Sequence, residues 1–172
     1  MHASLFYISY LNLLFEKKLA NIDEVRVSEI MVKEPVTTSP ETKVIDIAKI
    51  MKDKSIGSVI IVLENKPVGI VTERDLVSRV VAIGEDPSDL KVSKIMSKPP
   101  IAVIEVTTLT DAINVMKEKR IRRLIVVDNE DKVTGILTID DIGYNIDHFA
   151  EEVGLRYYLI TQKIRERTIK NS

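Results

Sequence analysis

Apolar positions along the chain follow two alternating patterns: steps of three and four residues, and short unbroken runs. Val44, Ile47, Ala48 and Met51 take the first form, as do Leu109, Ala112, Ile113 and Met116, and each set predicts a helix with one buried face. Residues 59–62 and 68–71 take the second form and predict two strands joined by a polar turn; 124–127 and 133–137 repeat the arrangement. Runs this apolar predict strands covered on both faces. Ahead of each helix lies a proline-marked extended piece, Val36-Thr37-Thr38 after Pro35 and Ile101-Ala102-Val103 after Pro100. Ser28 and Ser93 are placed to cap a short helical turn carrying an Ile-Met pair. A last helix opens at Thr72 and again at Thr138.

These parallels are an internal repeat. Val27-Ser28-Glu29-Ile30-Met31 recurs as Val92-Ser93-Lys94-Ile95-Met96, a shift of 65, and Pro35, Asp46 and Met51-Lys52 recur as Pro100, Asp111 and Met116-Lys117. One residue is then inserted in the polar turn, so Gly69-Ile70-Val71-Thr72 matches Gly135-Ile136-Leu137-Thr138 and Asp75 matches Asp141 at a shift of 66. The expected fold is α/β (α+β): two tandem β-α-β-β-α units, 25–84 and 85–143, meeting at the polar connector 84–91. A three-stranded sheet with helices on one side is too thin to stand alone, so the units are expected to pack sheet to sheet.

Outside the repeat, helical extensions are expected at 1–24 and 144–172. Leu5, Ile8, Phe15, Leu19 and Ile22 have helical spacing, broken once by Asn12, and the stretch is too short and interrupted to span a bilayer. It lacks the basic start and cleavage site of a signal peptide. In the tail, Ile146, Ala150, Val153, Tyr157, Ile160 and Ile164 form a heptad-like seam, interrupted by Gly154, that suits a helix docked on the body or on a second chain.

Composition narrows the chemistry. With 45% apolar and 30% charged residues the chain is globular. It has no cysteine, which excludes disulfides, thiolate metal sites and a cysteine nucleophile, and fits the cytoplasm. A Ser-His-Asp triad would have to run through His148, since the only other histidine is His2 near the terminus. A net charge of −1 gives the whole molecule no strong pull on nucleic acid or anionic membrane. Glycine-rich dinucleotide and P-loop motifs are absent. Asp128-Asn129-Glu130-Asp131 reads as a turn between strands, without the ligand spacing of a calcium loop. No nucleophile–base pair or metal constellation can be assembled, and no enzyme is expected.

What remains is Thr72-Glu73-Arg74-Asp75 and Thr138-Ile139-Asp140-Asp141, each where a strand turns into a helix. Thr-x-x-Asp is close to a capping box, and Thr108 with Asp111 shows the same pattern at another helix start, where capping suffices. Cations cluster at Lys119-Arg120-Ile121-Arg122-Arg123, and strand alternation sends Arg122 and Arg123 to opposite faces. The matching stretch Ser55-Ile56-Gly57-Ser58 carries no cation, so any two clefts would be unequal.

The duplicated pattern resembles the CBS domain family, and the two copies look like a CBS pair over about residues 25 to 143. The resemblance implies an adenosine ligand (AMP, ADP, ATP or S-adenosylmethionine) in the cleft between repeats, a homodimer, and a regulatory role read by a protein partner. It implies that Asp75 and Asp141 accept hydrogen bonds from ribose hydroxyls and that Thr72 and Thr138 contact ribose or phosphate. A carboxylate has paired acceptors for a cis-diol, and the helix start favours a phosphate nearby. Arg122 or Arg123 would meet the phosphate, with Arg74 a second candidate. Backbone groups near Val36, Thr37 and Thr38 and near Ile101, Ala102 and Val103 would meet the adenine edge. No cofactor is required on this reading. Two other readings stand beside it: a ligand-independent dimerisation scaffold, and a nucleic-acid accessory protein using Arg120, Arg122, Arg123 and the basic tail.

Overall fold

A computed structural model describes residues 25–145. The two histidines, the expected helix of 1–24 and the tail seam of 146–172 lie outside the described residues. The first repeat runs α1 (Val27–Ile30), β1 (Val32–Lys33), β2 (Thr37–Thr38), α2 (Val44–Lys54), β3 (Ser58–Leu63), β4 (Lys66–Thr72) and α3 (Glu73–Arg79). After 3-10 turns at Val81–Ile83 and Val92–Lys94, the second runs β5 (Ala102–Ile104), α4 (Leu109–Lys119), β6 (Arg123–Val127) and β7 (Val133–Thr138). A further helix, α5, opens at 139.

Side-chain alternation explains the unbroken apolar runs. On β3, Val59 and Ile61 pack under α2 while Ile60 faces the other sheet. On β6, Leu124 and Val126 pack under α4 while Ile125 and Val127 face back. Ile60, Ile125, Val127 and Ile136, with Val62, Ile70 and Val133 against them, form the layer between the two sheets. The sheets therefore pack face to face, and both faces of each central strand are covered.

The sheets are unequal, with strand orders β2-β3-β4 and β1-β7-β6-β5. The fourth strand is borrowed: β1 belongs to the first repeat but pairs antiparallel with β7, Val32 opposite Ile136 and Lys33 opposite Gly135. The reciprocal contact is a bridge between Ser97 and Ile70, whose amides and carbonyls bond at 2.9 and 3.1 Å. Side chains follow the same exchange. Val27 and Met31 fill the core of Leu109, Ala112, Met116, Leu124 and Leu137, while Val92 and Ile95 fill that of Val44, Ile47, Met51 and Val71.

This exchange accounts for two of the repeated motifs at once. A β-carbon on Gly69 would lie 3.0 Å from Met96 Cγ and 3.1 Å from the Ser97 carbonyl oxygen, and one on Gly135 would lie 3.0 Å from Met31 Cγ. The Ile-Met of each repeat thus presses on the Gly-Ile strand of the other, and glycine is needed for that close approach. The serines act differently from expectation. Ser28 is the second residue of α1, whose start is tied by the Glu29 carboxylate accepting from the Arg26 amide at 2.7 Å, and Ser93 lies within a 3-10 turn that begins after Lys91. The first amides of α1 donate to carbonyls of the second repeat, Val27 to Thr107 at 2.9 Å and Ser28 to Glu105 at 3.2 Å, so no serine cap is required there.

Candidate ligand-binding cleft

The two Thr-x-x-Asp segments sit where β4 enters α3 and β7 enters α5. At the first, the Thr72 amide and hydroxyl both donate to Asp75 Oδ2, at 2.8 and 2.7 Å, and the Asp75 amide donates to Thr72 Oγ1 at 3.3 Å. At the second, Thr138 and Asp141 repeat these bonds at 2.8, 2.7 and 3.2 Å. Each helix start is also tied to the neighbouring strand: the Glu73 amide donates to the Gly57 carbonyl at 3.2 Å and the Ile139 amide to the Arg122 carbonyl at 3.1 Å.

The second oxygens of the two carboxylates differ. Asp75 Oδ1 accepts from the Ser97 hydroxyl at 3.4 Å and pairs with Arg79 at 3.3 Å, and the residue is 7% exposed. Arg79 also donates to the Ile95 carbonyl, so it ties Asp75 to the exchanged segment. Asp141 Oδ1 has no partner among the described residues, and the residue is partly exposed. Ser97 matches Val32 in the repeat and Arg79 matches Asn145, which donates to the Asp141 backbone carbonyl instead.

The arginines separate as strand alternation predicts. Arg122 turns outward, 3.9 Å from Asp140, with both side chains largely exposed. Arg123 shares a face of β6 with Ile125 and Val127 and reaches the first repeat. A β-carbon at Gly57 would lie 2.7 Å from Arg123 Nη2 and 3.1 Å from Glu73 Oε2, so guanidinium and carboxylate converge on one small space. Gly57 is therefore the gap that admits Arg123 to the α3 start. Arg74 is exposed on that helix start. Thr72, Glu73, Arg74 and Asp75 of one repeat thus lie beside Ser97 and Arg123 of the other. Thr138 and Asp141 have no such cation facing them from Ser58 or Gly57.

The adenine-edge candidates occupy edge strands. Thr37 and Thr38 pair with Ile60 and Ile61, and Ala102 and Val103 with Ile125 and Val126, leaving one backbone edge of each strand outward. Val36 packs against one core, and Ile101 and Val103 against the other. Ser97, Glu73 and Gly57 complete the cleft without a motif to announce them. The repeat pairs Ser97 with Val32, Glu73 with Ile139 and Gly57 with Arg122, so no shared residue type marks any of them.

Known proteins agree with this architecture. A CBS domain family profile matches residues 27–82 and again 92–146. An uncharacterized protein of Methanopyrus kandleri is 43% identical over 119 residues, covering 69% of this chain and 61% of that protein. An inosine-5'-monophosphate dehydrogenase of Aquifex aeolicus is 36% identical over 78% of this chain, but the match takes in only 27% of the enzyme, in its CBS domains. The chain thus spans about three-fifths of the first relative and a minor part of the enzyme. Among solved structures, a CBS domain protein of Pyrobaculum aerophilum complexed with AMP superposes with a TM-score of 0.63 at 27% identity, covering 68% of this chain and 89% of that one. A CBS domain pair complexed with 5'-methylthioadenosine and S-adenosylmethionine gives 0.66 at 27% identity, covering 72% and 97%. With two profile matches over most of the chain and sheets that exchange their first segments, this protein belongs to the CBS domain family as a tandem pair.

Proposed function

We propose that the chain is a regulatory module that reversibly binds an adenine nucleotide between its repeats, as a homodimer, and passes the bound state to a protein partner. The working cleft on this reading is the one at Asp75. The observation that carries it is Arg123, which crosses from the second repeat to the α3 start that bears Thr72 and Asp75. A phosphate there meets a guanidinium suited to two parallel bonds, while the ribose diol meets the Asp75 carboxylate, whose two present Oδ1 contacts are both long. Among the described residues the Asp141 cleft has no cation at Gly57 or Ser58 to match Arg123, which makes it the weaker place for a nucleotide. Two structural neighbours are described with AMP or with S-adenosylmethionine, which supports this ligand class.

Thermal shift with AMP, ADP, ATP and S-adenosylmethionine tests the reading on the parent and on Asp75→Asn, Arg123→Met and Asp141→Asn. A ligand at 100 times its dissociation constant adds about 2.7 kcal/mol, several degrees at this size. The nucleotide shift is expected to vanish in Asp75→Asn and Arg123→Met and to persist in Asp141→Asn. No shift with any ligand on the parent would overturn the reading and leave the dimerisation scaffold ahead.

A further inference from the structure

We infer that Glu73 sets the phosphate load of the ligand, so that the cleft selects a nucleoside monophosphate over a triphosphate. The inference rests on the proposed nucleotide site at Asp75 and Arg123. Arg123 reaches across from the second repeat, and the Glu73 carboxylate converges with it on the space above Gly57. No ion pair joins them within 4 Å among the described residues, so the carboxylate stands beside the guanidinium without capping it. Arg122 is turned away towards Asp140.

The charge available to an incoming anion is therefore small. One phosphate placed on Arg123 gains a charge-assisted contact and meets the single Glu73 carboxylate across the same space. Each further phosphate extends past Arg123 and adds negative charge near Glu73, with Arg74 alone left on that helix start to offset it. Like charges at partly exposed positions repel weakly, but the effect compounds with each added phosphate. Gly57 makes the discrimination possible, since any side chain there would push the guanidinium and the carboxylate apart.

The test is calorimetric titration of the full chain with AMP and ATP, without divalent cations, on the parent, Glu73→Gln and Glu73→Asp. The parent is expected to bind AMP more tightly than ATP. Glu73→Gln is expected to raise ATP affinity relative to AMP by about threefold or more, the scale of exposed charge pairs. Glu73→Asp, which keeps the charge but draws it back, is expected to fall between. An AMP-to-ATP ratio unchanged in Glu73→Gln, or a parent that prefers ATP, would overturn the inference while leaving the nucleotide site in place. Binding of neither nucleotide by the parent would overturn the site and the inference together.

Discussion

Three Thr-x-x-Asp segments in this chain share one inner bond, from threonine Oγ1 to aspartate Oδ2 at 2.7 Å, at Thr72, Thr108 and Thr138. Among the described residues only Thr72 and Thr138 add a second bond, from the threonine amide to the same oxygen at 2.8 Å, so local geometry sets these two apart from the plain cap at Thr108 but not from each other. Surroundings decide: Ser97 and Arg79 engage the other oxygen of Asp75, and Arg123 stands nearby. Thr72→Ala and Thr108→Ala are each expected to cost about 1 kcal/mol in denaturant unfolding. Only Thr72→Ala is expected to weaken AMP binding as well, and equal AMP affinity in the two variants would contradict the assignment. Thr72, Asp75 and Arg123 are legible in the sequence as repeated or charged positions. Ser97, Glu73 and Gly57 are not, because Ser97 meets Asp75, and Arg123 meets Glu73 over Gly57, only after segments far apart in the chain have crossed.

At the scale of elements, the apolar runs and the three–four steps gave away all four hairpin strands and both long helices, since each is long enough to show its period. β1 has two exposed residues and no period to read; its partner strand is chosen by the packing of Met31 on Gly135. The two hairpin turns differ as the one-residue insertion requires. Glu64 and Asn65 close the first with positive φ, the geometry that matches strand twist in a two-residue turn. In the second, Asp128 Oδ1 accepts from the amides of Lys132 and Glu130 at 2.9 and 2.8 Å, and the Lys132 amide above all holds its carboxyl below the usual range, against an opposing cost of desolvation. A lowered folded-state value means that this contribution is present at neutral pH and fades as the pH falls through that value. Asp128→Ala is therefore expected to lower the urea midpoint at neutral pH, and the gap from the parent should close in strong acid. A gap that stayed constant with pH would assign the effect to something other than the ionised carboxylate.

For the molecule as a whole, the exchange of first segments is the governing feature. Val27 is fully buried, yet in the core of the second repeat, and Val92 is fully buried in the core of the first. Either valine cut to alanine is expected to cost about 2 kcal/mol. Hydrogen exchange should place the loss across the divide: Val27→Ala should loosen amides of β6 and β7, and Val92→Ala those of β3 and β4. Loosening confined to the variant's own repeat would contradict the exchange. Gly69→Ala offers an independent check. Overpacking against Met96 and the Ser97 carbonyl is expected to cost about 1–3 kcal/mol, and a cycle with Met96→Ala should recover part of that as coupling.

The borrowed strand changes what a break in the backbone would do. A protease that cut the polar connector between Glu85 and Asp86 would leave two fragments, each still carrying a piece of the other's interior. Separating them would require both to unfold, so the nicked protein should migrate as one species until denatured. Each fragment expressed alone would expose the apolar groove that its missing partner segment fills, and mixing the two should restore structure that neither has by itself.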